Sequence, residues 1–160
     1  MGNDTDGSPP AMPGDAPSAA RSRTAPVTGR FPRTDVSVPA ARSLVRHALA
    51  QWHVIDRSDD VLLCLTELAT NAVRHGLRAD DHFLVKAGMD GGRLRVEVHD
   101  TSRRRPRPRH PNTQDPTGRG LLLVETLADE WGVRPRAPRG KVVWIEFTIT
   151  AQHLAEVPST

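Results

Sequence analysis

The chain of 160 residues has no tyrosine, one cysteine and no apolar run long enough to cross a bilayer. The single cysteine, Cys64, cannot form an internal disulfide, and its leucine neighbours predict a buried, unreactive thiol. Aromatic residues make up 4% of the chain, which argues against a platform on which nucleobases stack. The N-terminus also lacks the basic and then apolar layout of a signal peptide, so we expect a cytoplasmic protein.

Lysine is scarce as well, although the chain is rich in arginine. Only Lys86 and Lys141 are lysines among the 22 basic residues, which face 19 acidic residues and leave a net charge of +3. Arginine binds carboxylate and phosphate groups in a planar, bidentate manner. The charge excess is too small to define a class of partner. We expect Lys141, at the start of a predicted strand, to be exposed.

Large apolar side chains are nearly absent from residues 1–28, where Pro, Gly, Ser, Ala and Asp dominate. Such a segment cannot bury enough surface to offset the entropy lost on ordering, so we predict a disordered N-terminal tail. One domain follows over residues 29–152, a length suited to a single hydrophobic core. Residues 153–160 are predicted to form a C-terminal tail.

The periodicity of apolar residues changes along this domain and predicts three helices and four strands. Gly76 and Gly132 are suited to end the second and third helices. The order of elements predicts an α+β sandwich with helices on one face of a sheet. In chain order, the predicted elements are a strand over 31–38, helices from Pro39 and from Asp56 or Ser58, hairpin strands over 82–88 and 94–99, a helix over 121–131 and a strand over 141–149.

The second predicted helix is apolar but carries two polar residues, Glu67 and Asn71, four residues apart. That spacing places both side chains on one face of the helix, about one turn apart. Because buried polar groups need partners, the two residues either satisfy each other within the core or line a cavity that holds something polar. A carboxylate beside a carboxamide oxygen is suitable for Mg²⁺ and its bound waters.

A long basic segment begins directly after Asp100, where the hairpin ends. Residues 101–117 contain four prolines, and five arginines lie within residues 103–109. A loop of this length in a compact domain is usually functional or disordered. Asp100 is either a turn residue at a strand end or part of a site. No helix or interleaved aromatic residue presents the arginines to a groove, so we do not expect direct binding of nucleic acid.

Three motifs, in the order in which they occur, resemble the GHKL superfamily of ATPases and kinases. Residues 66–76 resemble the N-box of its small single-domain branch, the anti-sigma-factor serine kinases. Residues 118–124 resemble the second glycine box, and residues 141–144 resemble the final strand. The resemblance covers about residues 35–150. It implies a two-layer α/β sandwich with a mixed, mostly antiparallel sheet and helices on one face.

The resemblance also implies a role for each motif in binding Mg²⁺ and ATP. Glu67 would be the general base that takes a proton from a serine hydroxyl or from water, and Asn71 would bind Mg²⁺ through its side-chain oxygen. Asp100 would accept a hydrogen bond from the adenine amino group. The arginine-rich segment would form a lid over the nucleotide. Further nucleotide contacts are implied for Ser102, Gly118, Arg119, Gly120 and Leu121.

In function, the resemblance implies a serine/threonine kinase that phosphorylates a small anti-sigma-factor antagonist and sequesters a sigma factor. Relatives of this kind are often dimers, and a homodimer is left open. The superfamily has glycines soon after the aspartate, whereas Asp100 is followed by Thr101, Ser102 and a run of arginines. That departure leaves open a second hypothesis, a binding module of the same fold with weak or no catalysis. An ATP-hydrolysing enzyme is a third hypothesis.

Overall fold

The computed structural model describes residues 24–75, 82–100 and 116–150. Within these ranges the chain forms three helices and five strands. In chain order they are β1 (Val27–Pro32), α1 (Ser37–Gln51), α2 (Ser58–His75), β2 (His82–Asp90), β3 (Arg93–Asp100), α3 (Pro116–Leu127), β4 (Glu130–Pro135) and β5 (Lys141–Thr148). The predictions for residues 1–23, for Gly76, for the arginine-rich lid with Ser102 and for the C-terminal tail lie outside the described residues.

The strands form one sheet in the order β1-β2-β3-β5-β4, and every pairing among the described strands is antiparallel. Helix α2 lies between α1 and α3 and packs on β3, while α1 packs on β1 and α3 contacts β4. The predicted α+β fold is confirmed, but the expectation of a mixed sheet was wrong for the described strands, which pair only antiparallel.

Alternate residues of β3 separate the two faces of the sheet. Leu94, Val96 and Val98 are at most 1% exposed and belong to the hydrophobic core that the helices cover. We call this side of the sheet the inner face. Because successive side chains of a strand point to opposite sides, Arg93 and Arg95 lie on the other side, which we call the outer face.

Helix α2 forms because its apolar residues recur at helical spacing. Val61, Leu65 and Leu68 are at most 2% exposed and pack in the core. Asp59 and Asp60 lie in the first turn, where their negative charges complement the helix dipole. The helix begins at Ser58, one of the two predicted starting points.

The C-terminal end of α2 is bound by Arg33, which follows β1. The Arg33 Nε donates a hydrogen bond to the Ala72 carbonyl at 3.1 Å, and its Nη2 donates to the Val73 carbonyl at 2.8 Å. Carbonyls in the last turn of a helix lack partners within the helix, so these bonds stabilise that end. The contact holds the last turn of α2, which directly follows Asn71, against the start of the domain.

The third helix begins and ends earlier than predicted. It ends at Leu127, and β4 follows, so the prediction of a helix through Trp131 was wrong. The apolar run fits a helical period, but pairing with β5 places Trp131 and Val133 against the core. Gly132 lies within this strand and does not end the helix. An added Cβ at Gly132 would lie 2.6 Å from the ring of Trp144, so glycine leaves room for that ring.

The first strand and helix begin earlier than predicted. Strand β1 spans Val27–Pro32 instead of residues 31–38, and α1 begins at Ser37, two residues before Pro39. The strand ends at Pro32, where the chain turns and the N–H of Thr34 donates a hydrogen bond to the Pro32 carbonyl at 2.9 Å. Proline also has no N–H with which to extend the sheet ladder.

Candidate functional site

Glu67 lies on α2, half-buried, on a helix whose other face packs in the core. Burial raises the pKa of the Glu67 carboxyl above its ordinary value, and the positive charge of Arg74 offsets this in part. A carboxylate with a raised pKa is a stronger proton acceptor than an exposed one. Carboxyl groups perturbed in this way are common at functional sites.

The carboxylate of Glu67 lies against α3 at Gly120. A Cβ atom added at Gly120 would overlap Oε2 of Glu67 and would lie 3.1 Å from its Cδ and 3.3 Å from its Cβ. Glycine therefore leaves the space that the carboxylate occupies. Gly120 and Glu67 are therefore in contact although they are far apart in the sequence.

The predicted glycine box begins inside α3 instead of ahead of it. Helix α3 begins at Pro116, two residues before Gly118, so Gly118, Arg119 and Gly120 lie in its N-terminal part. Proline is favoured at the first position of a helix, where an N–H would have no partner. The free N–H groups of a first helical turn can bind an anion such as phosphate. In this helix Gly120, the fifth residue, lies beside Glu67, about one turn from the first residue of the helix.

Asn71 lies on α2 about one turn after Glu67 and is half-buried. Among the described residues, no group of three or more His, Cys, Asp or Glu side chains could hold a metal ion. Mg²⁺ usually keeps several waters and takes one or two protein ligands together with substrate phosphates. The amide oxygen of Asn71, with the Glu67 carboxylate nearby on the same helix, fits that way of binding.

Asp100 is the last residue of β3 and is 4% exposed, so it lies within the fold and not in an open turn. It is paired in register with Lys141, the first residue of β5. Lys141 is 8% exposed, and the prediction that it is an exposed end residue was wrong. Burial lowers the pKa of the Lys141 ammonium, and the negative charge of Asp100 opposes this. Both residues continue the inner-face series of their strands.

The remaining predicted residues are either buried or outside the described part of the chain. The side chain of Leu121 is 3% exposed and packs in the core, which leaves only its backbone to contact a nucleotide. Ser102 and the side chain of Arg119 lie outside what the structure describes. Cys64 is buried, and burial together with the charge of Asp60 raises its thiol pKa to about 12, as expected of an unreactive thiol.

Two residues of this region were missed from the sequence, Lys141 and Arg33. The signal for Lys141 was present, because Lys141, Val143 and Ile145 alternate and the last two are typical inner-face residues. No pattern in the sequence indicates Arg33, because it binds main-chain carbonyls 39 and 40 positions away.

A family model for the histidine kinase-like ATPase domain matches residues 31–147. The chain belongs to this family. The match confirms the resemblance to the GHKL superfamily that the motifs predicted, and it spans all three described helices. Membership of an ATPase family implies that the domain binds ATP.

The chain is similar to two solved structures, and the first shares its fold. The RsbU and RsbW domains of Rv1364c from Mycobacterium tuberculosis match with a TM-score of 0.63 and 22% identity, over 79% of this chain and 33% of that chain. The histidine kinase domain of the blue-light activated histidine kinase EL346 from Erythrobacter litoralis matches with a TM-score of 0.46 and 23% identity, over 74% of this chain and 62% of that chain.

The chain thus spans about a third of the Rv1364c structure, and at this identity the likeness concerns the fold. No curated protein matches the chain. None of the helices that the structure describes is long and apolar enough to cross a membrane.

Proposed function

We propose that the protein binds Mg²⁺-ATP and transfers the γ-phosphoryl group to a serine or threonine of a small antagonist protein. The observation that carries this proposal is the contact between Glu67 and Gly120. It places a carboxyl with a raised pKa beside the N-terminal part of a helix. A proton acceptor and an anion-binding helix end are two of the parts that a protein uses for phosphoryl transfer to a hydroxyl.

The nucleotide would lie between the helices and the inner face of the sheet. Asp100 accepts a hydrogen bond from the exocyclic amino group of adenine, since a carboxylate is an acceptor only. The free N–H groups of the first turn of α3, up to Gly118, receive the phosphate oxygens. Glu67 takes the proton of the attacking hydroxyl.

Mg²⁺ would be held by the side-chain oxygen of Asn71 together with phosphate oxygens and water. When bound, it would neutralise negative charge on the phosphates. Arg33 binds the carbonyls of the two residues that follow Asn71 along α2, and these bonds fix the position of Asn71.

The proposed partners are a sigma factor and a small anti-sigma-factor antagonist, and the setting would be the cytoplasm. Two findings support this, the N-box resemblance of residues 66–76 and the shared fold of the RsbW domain in Rv1364c. A phosphate added to the antagonist brings about two negative charges to an interface, which is sufficient to change which partner is held.

A second candidate function is a binding module that holds a partner without phosphoryl transfer. One observation favours it, because the segment after Asp100 has no glycine where the superfamily has a glycine box.

Titration of Mg²⁺-ATP into the purified protein, followed by calorimetry, separates the two candidates. We expect saturable binding by the wild type and a clear loss with Asn71→Ala when Mg²⁺ is present. In the absence of Mg²⁺ the two proteins should bind ATP alike. Lack of saturable binding by the wild type at millimolar ATP would rule out the kinase.

The chemical step is tested with ATP that carries a radiolabelled γ-phosphate. The protein is incubated with each purified anti-sigma-factor antagonist encoded in the same genome. Label on a serine or threonine of one antagonist supports a kinase. Label released only as inorganic phosphate would indicate the third hypothesis, an ATP-hydrolysing enzyme, and would contradict the proposal.

A further inference from the structure

Two buried groups of opposite charge face each other at one end of the inner face. Asp100 of β3 and Lys141 of β5 are direct partners in the antiparallel register, and they are 4% and 8% exposed. Directly opposite residues of such a pair share a face of the sheet, with Cβ atoms about 4.5–5.5 Å apart. This end of the sheet therefore has a hydrogen-bond acceptor and a donor side by side.

We propose that Lys141 binds the nucleobase together with Asp100. This inference rests on the proposed function, in which Asp100 accepts a hydrogen bond from the exocyclic amino group of adenine. Adenine presents an unprotonated ring nitrogen next to that amino group, and the Lys141 ammonium donates to it. Lys141 is then a specificity-determining residue of the nucleotide site.

The charge of the pair favours the base over the phosphates as its ligand. The two opposite charges cancel, and a carboxylate beside the ammonium repels phosphate oxygens. An uncharged base edge requires one acceptor and one donor and no net charge. The groups suited to phosphate, Asn71 and the first turns of α3, belong to the helices, whereas this pair belongs to the sheet.

Lys86 is the only other lysine of the chain and provides the comparison. It is exposed, and it lies on the outer face opposite Glu97. Burying an ammonium is unfavourable unless partners compensate it. The next residues of β5 on the inner face, Val143 and Ile145, are apolar, whereas Lys141 lies opposite the buried Asp100, whose negative charge compensates it. The pair thus keeps an acceptor and a donor at this end of the inner face, the two groups that a base edge requires.

Because the chain has two lysines, carbon-13 labelling of lysine gives two Cε signals in NMR spectra. The variant Lys86→Arg removes one signal and thereby assigns both. In the wild type, we expect saturating Mg²⁺-ATP to shift the Lys141 signal. Inorganic triphosphate with Mg²⁺ should move it no more than it moves Lys86. Equal shifts with ATP and triphosphate would place Lys141 at the phosphates, and an unshifted signal with ATP would remove it from the site, so either result overturns the inference.

Calorimetry with matched variants gives an independent test. We expect Lys141→Met to weaken ATP binding by about tenfold or more and triphosphate binding by less than about twofold. Lys86→Met should bind both ligands as the wild type does. If Lys141→Met does not fold, Lys141→Arg keeps the charge but moves the donors, and it should also weaken ATP more than triphosphate.

The outcomes separate this inference from the proposed function. A wild type that fails to bind ATP contradicts the proposed function itself. A wild type that binds ATP, with an unshifted Lys141 signal or with equal affinity in Lys141→Met, contradicts only the role of Lys141.

Discussion

Glu67 on α2 and Glu97 on the outer face of the sheet are both removed from most of the surrounding water, yet their pKa values move in opposite directions. Burial raises the pKa of Glu67, with a partial offset from the charge of Arg74. Burial also disfavours the charged form of Glu97, but hydrogen bonds and charges from His99 and Arg95 outweigh it and lower the pKa.

The contacts of Glu97 explain the difference. Its Oε1 lies 3.2 Å from Nε2 of His99, and its Oε2 lies 3.3 Å from Nε of Arg95 and 3.5 Å from Nη2 of Arg134. Burial lowers the pKa of His99, so the imidazole contributes mainly a hydrogen bond at neutral pH and the arginines supply the charge. The carboxylate of Glu97 is thereby saturated with donors.

The saturated network extends across the outer face. Arg95 also binds Glu146 at 2.7 Å and lies over the ring of Trp144 at 4.5 Å from its centroid. Arg93 connects Glu146 to Glu130 at 3.2 and 3.1 Å. A groove of about 570 Å³ lies on this face, and four of these paired residues (Arg93, Arg95, Glu97 and Glu146) form part of its lining. It contains none of the predicted site residues.

The comparison separates two uses of a carboxylate that has lost water. Donors on all sides fix Glu97 in its charged form, and it then holds neighbouring strands together. Glu67 has lost water without equal compensation, so it binds a proton more readily and is suited to take one from a substrate. For these two glutamates, incomplete compensation distinguishes the carboxylate suited to proton transfer from the one that holds strands together.

The largest expected effect is on phosphoryl transfer by Glu67→Gln. Gln keeps the shape of the side chain but cannot accept a proton, so we expect the rate of transfer to fall by about a hundredfold or more. Binding of Mg²⁺-ATP, measured by calorimetry, should change by less than about threefold. Glu125→Gln, an exposed position on α3, is the matched control and should transfer phosphate normally. A Glu67→Gln protein with the wild-type rate would exclude Glu67 as the base.

The opposite pattern is expected for Glu97→Gln. The variant leaves Arg95 and Arg134 beside a neutral amide with one acceptor oxygen instead of a charged carboxylate with two. We therefore expect a loss of about 1–3 kcal/mol in the free energy of unfolding, with ATP binding unchanged. Glu130→Gln, which removes an exposed carboxylate from the same network, should cost less than about 0.5 kcal/mol. Urea unfolding of the three proteins measures both values. A loss of ATP binding in Glu97→Gln with unchanged stability would reverse the comparison.

The same variant has a defined pH dependence. Because the folded-state pKa of Glu97 is lowered, its ionised form stabilises the fold above the ordinary carboxyl value of 4.5. That contribution is lost as the pH falls through the lowered folded-state pKa. The difference between wild type and Glu97→Gln should therefore be full at neutral pH and should shrink in acid.

Much of this architecture could be predicted from local sequence. The apolar residues recur with a period of about 3.6 in the helix with Glu67 and of 2 in the hairpin strands, so the local sequence predicts both. The boundary between α3 and β4 could not be predicted from the local sequence. The apolar pattern of residues 121–131 fits a helix, but Trp131 pairs with Ile145 of β5 and therefore lies in a strand. Boundaries of this kind depend on a partner strand that the local sequence does not contain.

The candidate site was predictable to a similar degree. The spacing of Glu67 and Asn71 predicted a shared helical face, and the motifs assigned their roles. Lys141 was misjudged because a charged residue at a strand end is usually exposed. Its burial depends on Asp100, a partner fixed only by the register of β3 and β5. Packing at long range, not residue type, decides such positions.

A smaller effect is expected for Gly120→Ala. The added Cβ would overlap Oε2 of Glu67, a flexible end that can swing away, so we expect phosphoryl transfer to fall by about tenfold as the carboxylate is displaced. Stability should change little, because alanine favours a helix by about 1 kcal/mol over glycine and offsets the crowding. Repeating the substitution in a Glu67→Ala background should leave the helix preference unopposed and raise stability. Equal stability changes in both backgrounds would show that the two residues do not interact.

The smallest expected effect is on thermal stability, where the variants of the two glutamates should act in opposite directions. Because the pKa of Glu67 is raised in the folded state, the folded protein holds this proton more tightly than the unfolded chain does. The stabilisation from protonated Glu67 is therefore full at low pH and declines as the pH rises above the ordinary value of 4.5. At neutral pH, Glu67→Gln should therefore raise Tm, by about 1–2 °C, whereas Glu97→Gln lowers it. Near pH 4 the gain from Glu67→Gln should disappear. Thermal unfolding at both pH values tests this, and a Glu67→Gln protein with a lower Tm at neutral pH would show that the Glu67 carboxylate is compensated after all.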